Sequence, residues 1–134
     1  MNITNNTAQA RRFMMLGALL IALATMIGAL GSHVLKARLP ADRYEVLQTA
    51  VHYQFFHALG LLVLGFLIER HATRALTIAG WLCFTGVVLF SGSLYAIIAG
   101  APTAVGVITP IGGLCLISAW LCAAWSLARR DSGS

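Results

Sequence analysis

Carboxylates are nearly absent from this chain. Its 134 residues include four Asp and Glu against nine Lys and Arg, and charged residues make up 10% of the whole. Typical soluble domains carry roughly 25%. Asp42, Glu45, Glu69 and Asp131 all lie in or beside polar connections, so no carboxylate falls within an apolar run. Intramembrane hydrolysis by a pair of acids therefore has no residues to work with. Cysteine is also scarce. Cys83, Cys115 and Cys122 sit inside apolar runs without CxxC spacing. That pattern argues against a disulfide framework or a cysteine zinc site and for thiols that pack as small apolar groups. His-x-x-x-His and Glu-x-x-His, the helical metal-ligand spacings, are missing too.

What is present is oil. The chain is 59% hydrophobic with a mean hydropathy of +0.84, more apolar side chain than a single domain of this length can hide from water. A bilayer is the natural solvent. The net charge of +5 does not point to nucleic acid, because the basic residues form short clusters between apolar runs, as topology signals do.

Residues 1–10 are polar, without an apolar period, and read as a flexible tail. Arg11 and Arg12 precede Phe13 to Gly31, an uncharged run about 28 Å long as a helix, close to a bilayer core. A basic start and small residues near its end also fit a secretory signal. Three further spans follow, and the reading is an uncleaved first helix. A polar connection holds Lys36, Arg38, Asp42, Arg43 and Glu45. Pro40 suits a first helical turn, with the two acids favouring the N-terminal dipole. Glu45, Gln48, Thr49 and His52 then form one stripe at 100° per residue, an interfacial entry into the second span. Glu69, Arg70, His71 and Arg74 mark the next turn, Gly100-Ala101-Pro102 the one after. The result is an all-α, integral membrane four-helix bundle with spans near 13–33, 46–68, 75–99 and 108–128, forming one domain over 11–130, and a short tail at 131–134. Arg11, Arg12, Arg70, Arg74, Arg129 and Arg130 share one side and Lys36, Arg38 and Arg43 the other. The larger basic set places both termini in the cytoplasm.

This topology gathers the intramembrane polar residues. His33, Tyr53, Gln54, His57, Ser91, Ser93, Tyr95 and Thr109 all fall at the outer end, which is the candidate binding site. The other half is almost wholly apolar. The stretches Gly28-Ala29-Leu30-Gly31-Ser32-His33, Thr49 to Leu59, Leu89-Phe90-Ser91-Gly92-Ser93-Leu94-Tyr95 and Ile108-Thr109-Pro110-Ile111-Gly112-Gly113 together resemble a family of small bacterial inner-membrane proteins of unknown function related to eukaryotic transmembrane protein 256. The resemblance covers about Phe13 to Leu127 and implies four spans in the bacterial inner membrane. Leu30, Ser32 and Ala119 stand where the family usually has Phe, Ala and Gly, and His52 lies outside the shared motif. No reaction comes with the resemblance.

Four functional classes compete. His33 and His57, on different helices, could hold a metal or haem, whereas His52 and His57, about 140° apart on one helix, could not easily share one. A transport subunit, working as an oligomer, could use a broken helix start at Gly112-Gly113, but needs a polar path through the apolar half. Ser91 or Ser93 with His57 could form a catalytic dyad. The class best suited to the residues is a structural or accessory membrane protein whose partners are the lipid bilayer and a second copy or a membrane complex, with no catalytic residue, no cofactor and no nucleic acid. In that reading His57 bonds Ser91 or Tyr95 across the bundle, Tyr53 reaches His57 at i,i+4, and the glycines (Gly60 with Gly65, Gly80 with Gly86, Gly112 with Gly113) let helices approach.

Overall fold

A computed structural model describes residues 3–129. Its four long helices are α1 (Ile3–His33), α2 (Ala41–Arg70), α3 (Arg74–Ile98) and α4 (Ile108–Ala128). Each is long and apolar enough to cross a membrane. Short 3-10 turns, Leu35–Ala37 and Thr103–Val107, bridge the first and third connections. Helix α1 packs on α2, α2 on α3 and α3 on α4, while α1 and α4 share little contact. The arrangement is two helical hairpins joined along α2 and α3.

Two boundaries differ from the sequence expectation. Residues 3–10 are the first turns of α1 rather than a tail. Ala10 is fully buried, and its carbonyl lies against Gly65, so packing on α2 extends the helix through a polar segment that alone would fray. Helix α2 starts at Ala41, with Pro40 at its N-cap position and Asp42 in its first turn. Residues 131–134 and Arg130 lie outside the described residues.

Hydrophobic burial cannot drive helix association where lipid is as apolar as leucine, so close packing must do it. Large side chains face outward, among them Leu19, Met26, Phe56, Phe66, Leu114 and Leu121. The inner seams are made of small residues and rings. A Cβ on Gly17 would lie 2.7 Å from the Ala58 carbonyl, and one on Gly112 would strike the Phe90 backbone. The Phe13 ring covers Gly80, and the Trp120 ring covers Gly60. Phe13, Leu61, Leu64, Ile68, Leu76, Ala79, Cys83 and Leu116 make an apolar core near the Arg70–Arg74 end. That leaves the opposite half for polar side chains.

Candidate functional site

The predicted residues form two separate groups and one outlier. The first group centres on Gln54, only 2% exposed. Its Nε2 donates to the Leu20 carbonyl of α1 at 2.9 Å, and its Oε1 accepts from the Tyr95 hydroxyl of α3 at 2.8 Å. One amide therefore ties three helices. Gln54 reaches the α1 backbone because Gly17 and Ala24, both buried, leave that face without bulk. One turn away, Ser91 donates to the Ala50 carbonyl at 2.8 Å, a second tie from α3 to α2. A helical carbonyl already bonded at i+4 keeps a lone pair for such a donor.

The second group joins α3 to α4. The Ser93 and Thr109 hydroxyls lie 2.6 Å apart, and Ser93 also donates to the Phe90 carbonyl at 2.9 Å. Ser32 makes the same i−3 bond to Ala29 at the end of α1. The Tyr53 ring stacks on Phe90 with centroids 4.4 Å apart, and on His57 at 5.8 Å.

His57 does not bond Ser91 or Tyr95 as expected, since both hydroxyls are spent on α2. Its Nδ1 lies 2.7 Å from the Tyr53 carbonyl. A carbonyl only accepts, so Nδ1 carries the proton. The ring then faces Trp120 of α4, centroids 6.2 Å apart. His33 is the outlier, exposed at the end of α1. On a helix it lies opposite the Gly17–Ala24 face that meets α2, so His33 and His57 are not brought together. Among the described residues no group of three or more His, Cys, Asp or Glu could hold a metal ion. The Ser91–His57 and Ser93–His57 dyads do not form either. Helix α4 runs unbroken through Gly112 and Gly113, so the backbone amides of a broken helix start are not released there.

A groove of about 190 Å³ lies over Gln54 and Ser91, walled by Leu20, Leu23, Val87, Val88 and Tyr95. Its polar floor groups direct their bonds inward, so it presents hydrocarbon to the bilayer. The sequence reading missed a tie at the other end. Thr73 caps α3 by accepting from the Leu76 amide at 3.1 Å, and its hydroxyl lies 2.7 Å from that of buried Ser126. A threonine just ahead of an apolar helical run was the available signal.

A family model described as "Protein of unknown function (DUF423)" matches residues 27–113. That range covers the end of α1, α2, α3 and the start of α4. The UPF0382 membrane protein YwdK of Bacillus subtilis is 43% identical over 110 residues, covering 81% of this chain and 89% of the relative. The UPF0382 membrane protein SH2409 of Staphylococcus haemolyticus is 43% identical over 81% of this chain and 88% of its own. SAB0533 of Staphylococcus aureus is 38% identical over the same shares. No solved structure matches.

Proposed function

Because the chain belongs to the DUF423 family of bacterial membrane proteins of unknown function, we propose that it serves as a structural or accessory protein of the inner membrane, multi-pass with both termini cytoplasmic. Its outer-end polar residues lock the bundle rather than handle a substrate. The carrying observation is the doubly engaged Gln54 amide. A side chain that handles a passing solute must be free to turn toward it. Here each end of the Gln54 amide is anchored to a different helix, and the Ser91, Ser93 and Thr109 hydroxyls are each bonded within the protein, so these groups are held in place between helices. Intramembrane hydrogen bonds of this kind are worth about 0.6 kcal/mol each, up to about 1.7, enough in combination to fix helix register.

Proteoliposomes test the reading against transport. The wild-type protein and Gln54→Leu should show the same ion, proton and solute permeability as empty liposomes, while Gln54→Leu melts at a lower temperature. A flux present in the wild type and abolished in a folded Gln54→Leu variant would overturn it.

A further inference from the structure

A second cleft, of about 120 Å³, opens on the flank of the α1–α2 hairpin and is lined by Gly28, Gly31, Ser32, Tyr44, Leu47, Gln48, Val51 and His52. No residue of α3 or α4 lines it. We propose that this cleft binds the headgroup of an amine-bearing phospholipid of the phosphoethanolamine type. The proposal rests on the membrane fold and not on the accessory role.

Three features lead there. First comes depth. If the roughly 30 Å core ends at Ile68, just before Glu69 and Arg70, it reaches back about twenty residues along α2, to Thr49. Tyr44, Glu45 and Gln48 then lie at headgroup level and His52 just beneath it. Second comes hydrogen-bonding capacity. Gln48 Nε2 donates to the Tyr44 hydroxyl at 3.2 Å, which leaves the Tyr44 proton, the second Gln48 N–H and Gln48 Oε1 uncommitted. The His52 ring makes no hydrogen bond within the described protein. These donors suit a phosphodiester. Third comes charge. Glu45 does not itself line the cleft but stands next to Tyr44 on the α2 face of Gln48, Thr49 and His52, is exposed, and forms no ion pair among the described residues. A carboxylate beside phosphate donors would repel a purely anionic headgroup but receives the ammonium of a zwitterionic one. A quaternary amine cannot donate to it. Below the polar rim, Gly28, Leu47 and Val51 give the cleft an apolar floor for the start of an acyl chain, and the absence of side chains at Gly28 and Gly31 keeps it open: a Cβ there would lie 3.3 Å from Val51 Cγ1 and 3.1 Å from Leu47 Cδ2.

The test is lipid retention measured by native mass spectrometry on protein purified in mild detergent. The protein is offered equimolar phosphatidylethanolamine, phosphatidylglycerol and phosphatidylcholine of matched chains. Wild type should retain phosphatidylethanolamine about two- to five-fold over the other two, the range for one partly exposed charge contact. Glu45→Gln should erase the preference over phosphatidylcholine. The double variant Tyr44→Phe with His52→Ala should lower retention of all three. Melting temperatures within a few degrees of wild type would show that both variants fold. Equal retention of the three lipids by wild type would overturn the proposal, as would an unchanged preference in Glu45→Gln. Displacement of bound lipid by soluble O-phosphoethanolamine at equal concentration would assign the cleft to a water-soluble ligand and overturn the lipid reading.

Discussion

The Tyr95 hydroxyl donates to Gln54 Oε1 at 2.8 Å across 41 residues of chain, while the other end of the same amide holds the α1 backbone. Tyr95→Phe removes the donor and leaves a buried carbonyl oxygen unpaired. The expected loss is about 0.6–2 kcal/mol in thermal unfolding in detergent. Gln54→Leu should cost more, because it also releases α1. In Gln54→Leu the further change Tyr95→Phe should cost little, since its partner is already gone. Additive losses would show that the two side chains do not act as a pair.

Gly112 and Gly92 give a matched contrast. A Cβ on Gly112 meets the Phe90 backbone, whereas one on Gly92 meets nothing within 4 Å. Gly112→Ala must spread α3 from α4 and should destabilise by about 1–3 kcal/mol, the usual cost of overpacking. Gly92→Ala should be neutral or slightly stabilising in the same melt. Equal effects at the two positions would mean that α3 and α4 are not so closely apposed.

Thr73 joins two tasks at the arginine-rich end, capping α3 and meeting Ser126. Thr73→Ala should lower stability by about 1–2 kcal/mol through loss of the cap. Thr73→Ser keeps the oxygen and should recover most of it. Ser126→Ala leaves the cap in place and should cost less than Thr73→Ala. An equal loss in Ser126→Ala would mean that the interhelical contact, not the cap, holds this end of the bundle together.

Much of this architecture is legible in the sequence because spans are set by composition and their ends by Arg, Gly and Pro. That Gln54, Ser91, Ser93, Tyr95 and Thr109 lie away from the Arg70–Arg74 end of the bundle follows from chain direction alone. Their partners do not. Gln54 and Ser91 bond the backbone carbonyls of Leu20 and Ala50, which no side-chain pattern marks. Which carbonyl is reachable depends on where small residues such as Gly17 and Ala24 let two helices approach. The sequence turns His57 toward α3, but its Nδ1 bonds its own helix and its ring meets Trp120. Residues 3–10 look like a tail because their helix is held by the contact of Ala10 with Gly65 rather than by any local apolar period.

Orientation can be read with single cysteines. Cys83 is buried, and Cys115 and Cys122 are half-buried within α4, so all three can be replaced by serine or alanine to give a silent background. Thr103 begins the exposed turn between α3 and α4, and His71 lies exposed between α2 and α3. In the proposed orientation, which follows the excess of arginine at the His71 side, that turn is cytoplasmic. A membrane-impermeant maleimide added to intact cells should therefore label Thr103→Cys and leave His71→Cys unlabelled until the membrane is opened. The converse pattern would invert the protein. It would place the Gln54 group and the α1–α2 cleft in the cytoplasmic leaflet, and lipids offered from that leaflet would then be the ones to reach Tyr44 and His52.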